Sequence, residues 1–188
     1  MNKIGVIGTA GRKEDSSKMS LQLYRSMFLY AKEGIRRDFP NFSEIMLVSG
    51  GAAWADHIAI SLFLYEIDGQ NPFGGLTLYL PAPFVNSRFV EESHKSDAGR
   101  ISNYYHEVFS RKVGGNTLHG IQRAVDNGAI TNIGNGFHSR NKEVGKVDVL
   151  LAFTWGEGKV PKDGGTKHTW DNSKAPVKIH VPLRTLEG

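Results

Sequence analysis

The chain has 188 residues, 39% hydrophobic and 22% charged, with a formal net charge of +4 and no cysteine. That composition fits one soluble domain and excludes a disordered chain, and the missing cysteine removes disulfide scaffolds, thiolate-held zinc or iron–sulfur centres and thiol nucleophiles. The excess of 23 Lys+Arg over 19 Asp+Glu, with a pI of about 9.3, builds no basic arm but suits an anionic small ligand.

Ile4, Val6 and Ile7 form an apolar run closed by Gly8, Thr9, Ala10, Gly11 and Arg12, which reads as a buried strand opening into a glycine turn. Leu21, Tyr24, Phe28, Ala31 and Ile35 recur at three- and four-residue steps, predicting an amphipathic helix from Ser20 to about Asp38, ended near Pro40. The alternation repeats with a strand over Ile45 to Val48, a turn at Gly50-Gly51, and a helix carrying Ala55, Ile58, Ala59, Leu62 and Tyr65 on one face. Leu76 to Leu80 is a third strand. From Pro81 to His138 the pattern loosens around two short helices, about Arg100 to Lys112 and Thr117 to Asp126.

Regularity returns with a helix end over Ser139 to Gly145, a strand over Val147 to Phe153, a glycine-rich loop from Gly156 to Gly165, a short helix from about Thr166 and a last strand over Val177 to Val181. Strands separated by helices imply a Rossmann-like α/β domain over 1–188: a mostly parallel sheet of about five strands with helices on both faces. The segment at about 84–137 is read as an inserted lid or oligomer contact. No apolar run approaches the roughly 18 residues of a membrane span, and MNKIGVIGTAG reads as strand and turn, not signal peptide. A cytoplasmic protein without membrane contact is expected.

Glycine is abundant, 22 residues or about 12% of the chain against a usual level of about 7%. Gly8 and Gly11 follow the first strand, Gly50 and Gly51 the second, and Gly164 and Gly165 precede the helix after the fourth. In an open α/β sheet those positions share the carboxyl rim, where backbone N–H groups and helix N-termini gather around anions. Arg12, Asp56, Arg140, Asn141 and Thr166 fall on the same loops. Asp56, in the first turn of the second helix, would stabilise the helix dipole. His94, His106, His119 and His138, with Tyr104 and Tyr105, lie in the inserted segment and lack metal-ligand spacing, so neither a metal nor a resident cofactor is expected.

The ordered set Gly8-Thr9-Ala10-Gly11-Arg12, Gly50-Gly51-Ala52-Ala53-Trp54-Ala55-Asp56, Arg140-Asn141, Asp148 and Gly165-Thr166-Lys167-His168-Thr169 resembles the SLOG superfamily, nearest its YspA-like branch. The resemblance spans about residues 3 to 83 and 137 to 181. It implies a Rossmann-like fold that binds nucleotides or nucleotide-derived ligands, ADP-ribose signals among them, as a sensor or sequestering protein of the kind found in bacterial signalling and phage defence. In such a pocket Arg12 and Arg140 would pair with phosphate, Asp56 would accept a ribose hydroxyl and Asn141 would serve a ribose or base. The resemblance also implies a homo-oligomer, associated through helices beside the pocket. The related LOG enzymes hydrolyse a nucleoside monophosphate at its N-glycosidic bond and carry a glutamate where this chain has Thr169. A hydroxyl cannot replace that charge, so catalysis here would need a displaced carboxylate, Glu143 or Asp56. A second departure is Trp54, where the family commonly has glycine; it either stacks on a base or fills a gap beside the helix. A binding protein is thus the leading reading, with a phosphoribohydrolase and a single-stranded DNA binder as alternatives.

Overall fold

The computed structural model describes residues 1–91, 97–162 and 164–188. In chain order the strands are β1 (Asn2–Gly8), β2 (Ile45–Ser49), β3 (Gly75–Leu80), the hairpin strands β4 (Phe84–Val85) and β5 (Arg88–Phe89), β6 (Ile130–Ile133), β7 (Val149–Thr154) and β8 (Val177–Pro182). The helices are α1 (Leu21–Asp38), α2 (His57–Asp68), α3 (Ala98–Val113), α4 (Thr117–Asp126), α5 (Gly136–Val144) and α6 (Gly165–Asn172). Six strands form one sheet in the order β6-β3-β2-β1-β7-β8, and every neighbouring pair is parallel. The fold is Rossmann-like α/β. The sixth strand, β6, comes from the segment read from sequence as an insertion.

Period-two alternation along the central strands divides the core. Ile4, Leu47 and Leu151 point to one face, beneath α1 to α4, while Ile7, Val48 and Leu150 point to the other, against Val144 of α5 and Trp170 of α6. On α1 the buried stripe is Leu23, Met27, Ala31 and Ile35, with Tyr24 and Phe28 half-buried beside it. Ser20 caps the helix by accepting the Leu23 N–H at 3.1 Å, and Phe39, just before Pro40, ends it.

The segment from Phe84 to Phe137 is built into this core. Asn103 of α3 donates to the Phe89 carbonyl at 2.9 Å and accepts from the Phe89 N–H at 3.0 Å, which fixes the hairpin, while Phe109, Leu118 and Ile121 are buried against α2. Among the described residues no helix is long and apolar enough to cross a membrane.

Candidate functional site

The carboxyl ends of β1, β2 and β7 open onto a cavity of about 480 Å³, walled by the loops after those strands and by the facing ends of α5 and α6. Its volume falls within the usual range for a small-molecule site, roughly 300–1,000 Å³. Of the residues singled out from sequence, Gly8, Thr9, Arg12, Asp56, Arg140, Asn141, Gly164, Gly165 and Thr166 all line it.

An ion pair forms the floor. Arg140 donates Nη1 to Asp56 Oδ2 at 3.0 Å, with both side chains more than nine-tenths buried. Burial pushes the Asp56 carboxyl up, and Arg140 and the amides of Ala52 and Gly8 pull it back. Burial also lowers Arg140, opposed by Asp56 and reinforced by Arg12, yet a guanidinium starts so high that it stays charged. The pair sits where it does because residue 50 has no side chain: a Cβ there would overlap Arg140 Nη1 and stand 2.7 Å from Asp56 Oδ2. Arg140 Nε is buried without a hydrogen-bond partner.

Arg12 has no carboxylate partner among the described residues. Its guanidinium carbon lies 4.9 Å from the ring centroids of both Tyr105 and Phe137, and its Nε is buried and unpartnered. Phe137 also faces Arg140, at 5.6 Å. Burial lowers the Arg12 pKa, and the charges of Tyr105 and Asp56 oppose that shift. Stacking on aromatic faces orients a guanidinium while leaving its N–H fork available to a planar or tetrahedral anion.

Across from the arginines, α6 begins after Gly164, and Gly164, Gly165 and Thr166 line the cavity, which places the positive end of the helix dipole there. Thr166 Oγ1 donates to the Gly8 carbonyl at 2.9 Å and ties α6 to the turn after β1. Thr169 spends its hydroxyl on the Gly165 carbonyl at 3.1 Å. No carboxylate occupies that position; Glu143, the proposed substitute, lies off the cavity and pairs with Lys146 at 2.7 Å.

Among the described residues the carboxylates that reach the cavity, besides Asp56, are Glu14 and Asp15. Lys162 bridges them at 2.7 and 3.1 Å, linking the loops after β1 and β7. That bond to Lys162 holds Glu14 below its ordinary range and raises Lys162 in turn. Neither carboxylate was marked by the sequence.

Four marked residues stand behind the wall instead of on it. Trp54 is 1% exposed at a backbone φ of 65°, with its ring 4.4 Å from Phe109, so it fills the gap beside the helix and presents no surface to a base. Gly11 is small for its sake: a Cβ would lie 2.7 Å from the indole nitrogen. Gly50 and Gly51 do not line the cavity either. Gly51 gives its carbonyl to His106 Nε2 at 2.9 Å, and His106 Nδ1 contacts Thr117 Oγ1 at 2.9 Å. Asp148 lies at the opposite end of the sheet and accepts the Lys3 N–H at 2.7 Å. Of the histidines, His106 is buried, His119 is exposed, His138 lines the cavity 5.4 Å from the His168 ring, and His94 lies outside the described residues.

The molecule is therefore a Rossmann-like α/β protein with an arginine-lined cavity at the carboxyl rim of its sheet. The chain is 36% identical over 185 residues, 96% of each chain, to the uncharacterized protein R261 of Acanthamoeba polyphaga mimivirus, and it belongs to the same family as that protein. No family model and no solved structure matches it.

Proposed function

We propose that the protein binds a nucleotide-derived ligand, NAD-derived or carrying ADP-ribose, and acts in the cytoplasm as a sensor or a sequestering protein of the SLOG type. One observation carries the reading: Arg140, paired with the buried Asp56, and Arg12, which has no ion-pair partner among the described residues, converge on a cavity that the first residues of α6 also line. Four basic side chains, Arg12, Lys13, Arg140 and Lys162, against three carboxylates, Glu14, Asp15 and Asp56, leave the described lining positive, and with the helix N-terminus this suits a phosphoryl group. The likeness of the Gly8-to-Arg12, Gly50-to-Asp56, Arg140-Asn141 and Gly165-to-Thr169 motifs to SLOG proteins supplies the nucleotide, and a relative from a virus suits capture of a host signal.

Calorimetric titration with ADP-ribose, NAD, nucleoside monophosphates and the unphosphorylated nucleosides tests this. Binding confined to the phosphorylated compounds and weakened roughly 30-fold in Arg12→Ala is expected; equal binding of nucleosides, or no binding at all, overturns it. A second reading, N-glycosidic hydrolysis, draws on Glu14 and Asp15 at the cavity. Chromatography of the same mixtures separates the two, since binding returns intact ligand and hydrolysis releases free base.

A further inference from the structure

We propose that the free edge of β6 is the surface through which two copies of this chain pair. β6 ends the sheet on one side, and all four of its residues are exposed, Ile130 at 55% and Ile133 at 49%. Among the described residues β6 has extensive contacts with β3 alone. A terminal strand turns half of its backbone N–H and C=O groups outward, and proteins that stay monomeric blunt such an edge with charge, proline or a bulge.

The other edge of the sheet is blunted in that way. β8 carries Lys178, stops at Pro182, and continues into a short helical turn at Leu183–Leu186 that packs on α1. β6, at four residues the shortest strand of the sheet, carries neither charge nor proline, and from Asn127 to Phe137 the sequence has no charged residue.

A second copy is the occupant that this edge fits. Antiparallel pairing through a two-fold axis perpendicular to the sheet is isologous, so it satisfies both free edges at once and closes without leaving another. The axis sets Thr131 or Asn132 opposite its own counterpart. Both are uncharged, so self-pairing brings no like charges into register, and a Thr or Asn pair can bond across the strands. Six strands from each copy then form one continuous sheet. The pairing also reaches the cavity, because β6 leads through Gly134, Asn135 and Gly136 into Phe137, and two of those amides are already strapped to the end of β3. Gly134 donates to the Leu80 carbonyl at 2.7 Å, and Gly136 to the Pro81 carbonyl at 3.0 Å.

Sedimentation velocity on the intact chain tests the proposal, with Ile133→Lys and Asn132→Lys as variants on opposite faces of the strand. The expected result is a wild-type species of twice the chain mass, monomers for both variants with unchanged circular dichroism, and β6 amides whose hydrogen exchange slows as concentration rises. A wild-type monomer at every concentration, leaving the edge to another protein, overturns it. So does a dimer that survives both substitutions.

Discussion

Arg140 and Asp56 lie 84 positions apart in sequence and meet at 3.0 Å beneath the cavity, over a glycine that leaves them room. Removing one member of a buried ion pair strands the other charge, at a cost of about 3–5 kcal/mol. Asp56→Asn should lose stability on that scale in urea denaturation, and Gly50→Ala should lose stability and ligand affinity together because the new methyl group displaces the pair.

Arg12 should behave differently. It has no ion-pair partner in the described structure, so Arg12→Ala gives up little fold energy but removes a charged hydrogen bond to the ligand, worth about 2 kcal/mol or roughly 30-fold in affinity. Arg12→Lys should recover only part of this, because an ammonium does not stack on Tyr105 and Phe137 as a guanidinium does. Calorimetry beside a thermal melt separates affinity from stability.

Trp54 sets two effects against each other. Its left-handed backbone costs about 1 kcal/mol, which glycine would return, but deleting a fully buried aromatic costs about 3–5 kcal/mol. The cavity term wins, so Trp54→Gly should be destabilised in denaturant. At a temperature where the variant stays folded, its affinity for the phosphorylated ligand should match the wild type, since the indole has no face on the cavity.

Stability should also fall with acid. Burial lowers His106 to about 4, opposed by its bond to Gly51, and His57 beside it is lowered by burial and by His106. Below an unfolded-state pKa of about 6.5 the unfolded chain binds protons that the folded chain refuses, so stability is fully present above that pH. It is lost as pH falls towards about 4, at about 1.4 kcal/mol per pH unit for His106 alone. Denaturant midpoints measured from neutral pH down to pH 4 should show this slope, and His106→Gln should flatten it.

Five of the six sheet strands were legible because each is a short apolar run closed by glycine or proline. β6 was not, because Ile130, Thr131, Asn132 and Ile133 are exposed on both faces and leave no periodic trace. Arg12, Asp56, Arg140, Asn141 and Thr166 were legible as a group, since the carboxyl rim of a parallel sheet gathers the loops that carry them. Sequence order does not reveal which way a loop residue faces. Gly50, Gly51 and Trp54 therefore turned out to build the wall from within, and Phe137 and Lys162 joined the cavity unannounced.

The central claim is that the arginine-lined cavity holds a phosphorylated nucleotide derivative. Native mass spectrometry of the protein taken directly from cells tests it most directly. The account predicts an added mass that leaves on denaturation as an intact phosphorylated compound and whose occupancy falls in Arg12→Ala. A bare chain that also fails to take up added ADP-ribose, NAD or nucleoside monophosphate would contradict it.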